Sequence, residues 1–387
     1  MSPPRKIIIL IVIAQFCCTS LWFACNPILN ELLPQFENAS EIIAHVTSAV
    51  QIGFIVGTLV FAFFSFADRF SASYIFLICA ILGALTNLLL LIPQLSILSI
   101  ISVRTTTGFF LAGIYPVGMK IAADYYRDGL GASLGFLVGA LVLGTAFPFL
   151  LEYVSINISW KMIVVFTSFL AILGGIMLGR GVPVGPLRTK MLQWDRRTLL
   201  QLFKNTKFKK AAFAYFGHMW ELYTFWAFLP ILLTLHLNKQ PESSLSISLW
   251  TFLIIASGSL GCVASGIVSR YMNPKKIGLI CLTGSGLFCL LSPLLLGLPS
   301  PLFLSVLIIW GIVVVADSPM FSTLVASNVA GHQKATALTI VNCIGFAITI
   351  LSMELVTQLL NIWPPHLVFI ILAIGPLLGL ISNLRRS

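Results

Sequence analysis

Charged side chains are scarce in this sequence. Asp, Glu, Lys and Arg make up 9% of the 387 residues, whereas 58% of the residues are hydrophobic. A soluble domain carries about 25% charged residues, and a soluble fold could not remove so much apolar surface from water. The composition therefore excludes a soluble enzyme, a disordered chain and a disulfide-rich secreted domain. A lipid bilayer is the solvent that fits it.

Motifs for enzyme chemistry are also lacking. The sequence has no Gly-Lys-Ser/Thr loop for binding phosphate, which argues against ATP-driven chemistry within this chain. Its 8 cysteines lie in apolar stretches without the spacing of metal ligands, and they are interpreted as small packing residues. No arrangement of nucleophile and base stands out. We therefore expect neither an enzyme nor a protein that holds a cofactor or a metal.

Long apolar runs are what the sequence has in abundance. About 20 apolar residues cross the hydrocarbon core as a helix, and these runs lack the alternating pattern of transmembrane strands. The sequence thus predicts an all-α membrane protein with twelve transmembrane helices, numbered here as segments 1 to 12. The segments cover residues 7–30, 43–66, 74–92, 96–119, 130–151, 160–179, 210–235, 245–268, 277–297, 302–325, 334–358 and 364–383.

Basic residues fall almost entirely on one side of these segments. Of the 23 Lys and Arg residues, 20 lie in the termini and in the connections that share their side, Lys161 and Lys239 lie opposite, and Arg104 lies within segment 4. Cytoplasmic loops carry such an excess. We therefore expect a multi-pass protein of the inner (plasma) membrane with both termini in the cytoplasm. Because the basic charge is spread over many loops, nucleic acid is not an expected partner.

One long polar stretch divides the chain. Residues 1–180 are predicted to form an N-terminal bundle of six helices, residues 181–209 a cytoplasmic linker, and residues 210–387 a C-terminal bundle of six helices.

The two predicted bundles resemble each other at a constant offset of 203 residues. Gly108 to Pro116 in segment 4 matches Gly311 to Pro319 in segment 10, and Pro27 in segment 1 falls on Pro230 in segment 7. Two halves in the same orientation are related by an axis along the membrane normal.

Three short motifs carry a resemblance to a known family. Asp68 and Arg69 lie in the turn between segments 2 and 3, Arg270 lies in the corresponding turn after segment 8, and segment 4 carries Arg104-x-x-x-Gly108. With these motifs, essentially the whole chain resembles the major facilitator superfamily of transporters. The resemblance implies that Asp68, Arg69 and Arg270 belong to a gating loop. In this sequence Arg270 stands where the family's turn has an acid.

Two further stretches, from Gly217 to Pro230 and from Ala316 to Ser322, are similar to a little-characterised bacterial subgroup of that superfamily. The resemblance implies a secondary transporter that moves a small solute by alternating access, with coupling to protons as the expectation. The expected partners are the solute, protons and the lipid bilayer, and the expected state is a monomer. The alternative is a membrane sensor or interaction protein that kept the fold without transport.

Charged residues at bilayer depth are candidates for function because each costs at least about 2.5–3.5 kcal/mol to insert. Arg104 suits an anionic solute or a carboxylate partner, and the alternative is an ion pair or a clamp on backbone carbonyls within the N-terminal half. His218 and Glu221 lie three residues apart, on one face of segment 7, and form the main candidate pair for proton coupling. Asp317 precedes Ser318 and Pro319 and is predicted either to titrate or to cap a broken helix.

Aromatic and polar residues on segments 1 and 7 complete the candidate site. These are Trp22, Asn26, Tyr223 and Trp226. The family resemblance implies that segments 1, 4, 7 and 10 line a central cavity, and an aromatic ring with a polar atom suits its wall. The alternative is a ring of aromatic side chains that faces lipid.

Overall fold

The computed structural model of the chain describes residues 5–32, 39–126, 130–154, 159–188, 202–240, 245–330 and 333–384. Within these ranges the structure is almost entirely helical and has no strand. Of the described helices, 11 are long and apolar enough to cross a membrane, and Lys6–Thr19 is a shorter apolar helix. The all-α fold class predicted from the sequence is therefore confirmed.

Each predicted segment contains a helix. In chain order the helices are Arg5–Thr19, Ala39–Phe63, Ala72–Leu88, Ile97–Leu111 with Tyr115–Tyr125, Leu130–Val154, Lys161–Gly181, Thr206–Lys239, Ile247–Val268, Pro274–Leu295, Ser300–Ala316 with Ser318–Ser327, Lys334–Ile362, and Ile374–Leu384. Short helical pieces at Leu29–Leu32, Phe66–Arg69 and Pro365–Val368 lie between them.

Segment 1 differs from its prediction as a continuous helix over residues 7–30. The helix ends at Thr19, residues 20–25 form turns, and a short 3-10 helix follows at Asn26–Ile28. The hydroxyl of Ser20 donates to the carbonyl of Cys17 at 2.7 Å, and Pro27 has no N–H to donate. Local hydrogen bonds of this kind compete with the helical pattern, so segment 1 is interrupted within the membrane.

Segment 7 is longer than predicted and is continuous. It runs over Thr206–Lys239, for 34 residues, through Pro230. The side chain of Asn205 accepts hydrogen bonds from the backbone N–H groups of Lys207 (2.9 Å) and Phe208 (3.2 Å). Such a cap satisfies the first turn, which explains why the helix begins before the apolar run at residue 210.

Segments 4 and 10 are both interrupted at equivalent places. Segment 4 breaks at residues 112–114, and segment 10 breaks at Asp317. Pro116 and Pro319 follow the breaks, and proline cannot donate to the carbonyl four residues earlier. In segment 10 that carbonyl belongs to Val315, and the thiol of Cys262 on segment 8 donates to it at 3.4 Å.

The two groups of six segments meet along two seams. Segment 5 packs against segment 8, and segment 2 packs against segment 11. A side chain at Gly135 of segment 5 would collide with the backbone of Cys262 and Gly266 on segment 8, so this approach requires glycine. On the other seam, the hydroxyl of Thr349 donates to the side-chain oxygen of Gln51 at 2.6 Å. We call the end of the bundle where segment 6 ends and segment 7 begins the linker end.

Candidate functional site

A buried acid and a buried histidine join segment 7 to the break in segment 10. His218 Nδ1 lies 2.7 Å from Asp317 Oδ1, and the exposed fractions of the two side chains are 1% and 0%. The carboxylate of Asp317 makes no capping hydrogen bond to the helix that follows it. Across the two segments it contacts His218, and backbone groups of Asp317 and Ser318 also face it.

Glu221 lies one helical turn after His218 and also reaches segment 10. Trp310 Nε1 donates to Glu221 Oε1 at 2.7 Å, and both side chains are buried. The side chains of Ser285 and Cys289 on segment 9 face the same carboxylate. The candidate pair from the sequence does share one face of segment 7, but each member has its own partner on segment 10.

Arg104 is fully buried within the N-terminal half. Its Nη2 donates to the backbone carbonyls of Leu21 (2.9 Å) and Trp22 (2.6 Å), and its Nη1 donates to Asn87 Oδ1 (3.2 Å). Both carbonyls belong to the turns of segment 1. The geometry corresponds to the carbonyl clamp, the second of the two alternatives open from the sequence.

Aromatic side chains from both halves meet in a group that we call the aromatic cluster, formed by Trp22, Phe54, Tyr223, Trp226 and Phe346. The ring of Trp22 lies 5.0 Å from Phe54 of its own half, 5.5 Å from Phe346 and 5.7 Å from Tyr223 of the other half, between ring centroids. Tyr223 lies 5.2 Å from Trp226. All five residues are buried, so they lie between the halves and not against lipid.

The remaining candidates are more peripheral. The amide of Asn26 donates to Thr47 Oγ1 on segment 2 at 3.0 Å, within the N-terminal half. Arg69 and Arg270 are both exposed. Asp68 belongs to the short helix Phe66–Arg69, and its side chain lies outside the described structure.

Sequence reasoning missed several polar residues of this region. Asn87 and Trp310 are fully buried partners of Arg104 and Glu221. For Asn87, the available signal in the sequence was a polar side chain within the otherwise apolar run of segment 3.

Among the described residues, no hydrogen-bond partner is found for Nε1 of Trp22, Nε1 of Trp226 or the side-chain amide of Gln15. Buried polar atoms usually have a partner, so these groups are ones that a solute or water would satisfy.

A metal site does not emerge from the described part of the chain, where no group of three His, Cys, Asp or Glu side chains is placed to hold an ion. The polar groups of the site are instead a buried acid–histidine pair, a second buried acid and a fixed cation.

Comparisons with known proteins extend over almost the whole chain. The sequence profile of the Major Facilitator Superfamily matches residues 11–353. The fold is similar to that of a mutant of the nucleoside transporter NupG, with a TM-score of 0.71, 17% identity, and coverage of 97% of this chain and 99% of that chain. It is also similar to the proton:xylose symporter XylE bound to 6-bromo-6-deoxy-D-glucose, with a TM-score of 0.73, 13% identity, and coverage of 97% and 95%. No curated protein sequence matches the chain.

Proposed function

The chain belongs to the Major Facilitator Superfamily, and on that premise we propose that it is a secondary transporter that moves a small solute by alternating access. The fold and its transporter neighbours favour this function over an enzyme. The two six-segment bundles, residues 1–180 and 210–387, are the units that move, and residues 181–209 connect them. The aromatic cluster lies between these units, where a solute would cross.

Proton coupling is carried by the contact between His218 and Asp317. The two side chains are buried together with Nδ1 and Oδ1 2.7 Å apart, so a proton taken up by this pair is shared between its two members. A change in that proton changes the attraction between segments 7 and 10. Glu221, held by Trp310 at 2.7 Å, is the second acid of the same two segments. This contact is the observation that carries the proposal.

The orientation follows from the basic residues, with the linker end and both termini in the cytoplasm of the cell and the protein in the inner membrane. Because the linker end carries most of the positive charge, the opposite orientation would place that charge on the side from which it is normally excluded. Reporter fusions at Lys209 and at Lys239 should give opposite sidedness, and equal sidedness would contradict this arrangement.

The test of function begins with an unbiased choice of solute. Purified protein would be screened by thermal shift against nucleosides, pentoses, amino acids and small carboxylates, and each solute that raises the melting temperature would be tested by counterflow in proteoliposomes. We expect exchange of at least one solute. Stabilisation by a solute without exchange of any solute would favour the sensor alternative.

Coupling is tested by an imposed proton gradient. The variant Asp317→Asn should lose accumulation of the solute against its gradient while it keeps counterflow, because exchange needs no net movement of protons. Glu354→Gln is the matched control, since Glu354 is an exposed acid on segment 11 that contacts Gln358. If Asp317→Asn accumulates the solute as well as the control does, the His218–Asp317 pair is not the coupling site.

A further inference from the structure

Asn87 of segment 3 joins segment 6 to Arg104 through a fully buried set of hydrogen bonds. Its Nδ2 lies 3.3 Å from the carbonyl of Val164, 3.3 Å from Thr167 Oγ1 and 3.0 Å from Ser168 Oγ. Its Oδ1 accepts from Arg104 Nη1 at 3.2 Å. Since Arg104 has no acid among these contacts, Asn87 is the side chain that orients the guanidinium group.

The guanidinium group in turn holds the interrupted part of segment 1. The carbonyls of Leu21 and Trp22 lie in the turns at residues 20–25, where the helical pattern is broken. An unpaired carbonyl within the hydrocarbon core costs several kcal/mol, and Nη2 of Arg104 donates to both carbonyls. The hydrogen bonds of these two carbonyls therefore come from Arg104.

Trp22 carries this constraint to the other half of the protein. Its carbonyl is held by Arg104, while its ring contacts Tyr223 and Phe346. A side chain can keep such a position between two moving bodies only if its own backbone is fixed. The described C-terminal half has no corresponding chain of hydrogen bonds, because the offset of 203 places Leu290 and Leu307 at the positions of Asn87 and Arg104.

We propose that Asn87 and Arg104 are positioning residues of the transport cycle: Asn87 orients Arg104, Arg104 fixes the turn at residues 20–25, and the turn holds Trp22 against the C-terminal half. The role in transport rests on the proposed function, whereas the contacts themselves are given by the structure. Both Nη atoms of Arg104 donate to protein groups, and this role requires no anionic solute.

Native cysteines provide the readout. Cys25 is the last residue of the turn and is fully buried, Cys343 of segment 11 lies 4.0 Å from the carbonyl of Ile55 across the seam between halves, and Cys289 is fully buried within the C-terminal half. Alkylation by N-ethylmaleimide requires access of the reagent to each thiol. Mass spectrometry of peptides gives the rate at each cysteine in the same full-length protein.

The variants Asn87→Leu and Arg104→Leu should each speed the alkylation of Cys25 and of Cys343 by at least about tenfold, because each removes hydrogen bonds to a charged group. The rate at Cys289 should not change. The double variant should be no faster than the faster single variant if Asn87 acts through Arg104. Asn87→Asp keeps an acceptor for Arg104, so Cys25 and Cys343 should be alkylated as slowly in this variant as in the parent protein.

Thr86→Val is the matched control, because Thr86 makes a 3.1 Å contact with Thr107 between the same two segments without touching Arg104. It should leave all three rates unchanged. Faster alkylation of Cys25 without faster alkylation of Cys343 would mean that these hydrogen bonds stabilise only the turn itself. That result would overturn the proposal. Equal acceleration at Cys289, or additive effects in the double variant, would overturn it as well.

This experiment uses no solute, so its outcome is separate from that of the transport assays. If counterflow fails for every solute while Cys25 and Cys343 respond as expected, the proposed function fails and the positioning contacts stand. If counterflow succeeds and the cysteines do not respond, the positioning role is the part that fails.

Discussion

The two halves of the protein join their equivalent segments by opposite chemistry. In the N-terminal half, a permanent cation joins segments 1 and 4, because Arg104 donates to the carbonyls of residues 21 and 22. In the C-terminal half, segments 7 and 10 are joined by two acids, Asp317 beside His218 and Glu221 beside Trp310. The backbones differ in the same sense, since segment 1 is interrupted and segment 7 is continuous.

The difference separates a contact that keeps its charge from contacts that contain titratable side chains. Arginine stays protonated in proteins, so the contacts of Arg104 do not change with pH. Histidine and buried carboxyl groups can change their charge near neutral pH. Under the proposed function, the contacts between segments 1 and 4 stay fixed, and the contacts between segments 7 and 10 are the ones that a proton rearranges.

The strongest test of this comparison removes the carboxyl group of Glu221, which under the proposed function takes part in proton coupling together with the His218–Asp317 pair. Glu221→Gln keeps an oxygen that can accept from Trp310 but cannot bind the proton, so we expect complete loss of proton-driven accumulation with counterflow retained. Accumulation in proteoliposomes is the measurement, with Glu354→Gln as the control. A variant that still accumulates the solute would restrict coupling to the His218–Asp317 pair.

A second test removes the fixed cation. Arg104→Gln leaves the carbonyls of segment 1 without their donor, and unsatisfied buried groups of this kind cost about 1–3 kcal/mol each. We expect a lower melting temperature at every pH from 5 to about 8, because the lost contacts do not titrate. Thr86→Val should melt close to the parent protein. A defect that appears only at one end of this pH range would mean that Arg104 faces a titrating group.

A smaller effect is expected from Trp310. The variant Trp310→Phe keeps the ring but removes the donor to Glu221, and loss of a hydrogen bond to a charged group costs about 1.5–3 kcal/mol. We expect accumulation to shift along the pH axis rather than to vanish, because Glu221 still titrates. Trp310→Phe is compared with Phe288→Leu, which changes a ring packed on Trp310 without touching the hydrogen bond. An unchanged pH profile would show that Trp310 serves packing alone.

The smallest difference between the halves is expected where they are alike. Gly108 and Gly311 are equivalent by the offset, and a side chain at either would meet the backbone of the neighbouring segment, at Val50 and at Ile254. Overpacking typically costs about 1–3 kcal/mol. Gly108→Ala and Gly311→Ala should therefore lower the melting temperature by similar amounts. A large effect of one change only would show that the halves differ in packing as well as in charge.

The sequence predicts the fold because each apolar run reports burial in lipid over its whole length. The all-α class is confirmed for this reason, and the family resemblance is confirmed by the match over residues 11–353. The continuous helix over residues 7–30 is wrong after Thr19, because hydropathy does not register hydrogen bonds such as that of Ser20 with the Cys17 carbonyl. Segment 7 starts early because one Asn205 cap outweighs the polar residues that follow it.

The site is less predictable because its contacts cross between segments. Helical spacing places His218 and Glu221 on one face, but it cannot identify Asp317 and Trp310 as their partners. The partners of Arg104 include backbone carbonyls, which carry no signal in the sequence. The roles of the candidate residues in transport stay predictions, and the experiments above address them one by one.

The uninterrupted length of segment 7 has a mechanical consequence. A helix of 34 residues is about 51 Å long, whereas the hydrocarbon core measures about 30 Å, so the rod projects well beyond it. One side of the rod bears His218 and Glu221, and another bears Tyr223 and Trp226 against the opposite bundle. Under the proposed function, a rotation of this helix at His218 and Glu221 would also move Tyr223 and Trp226, because the helix between them is continuous. Segment 7 thus connects the buried acids of its own bundle mechanically to the aromatic cluster between the bundles.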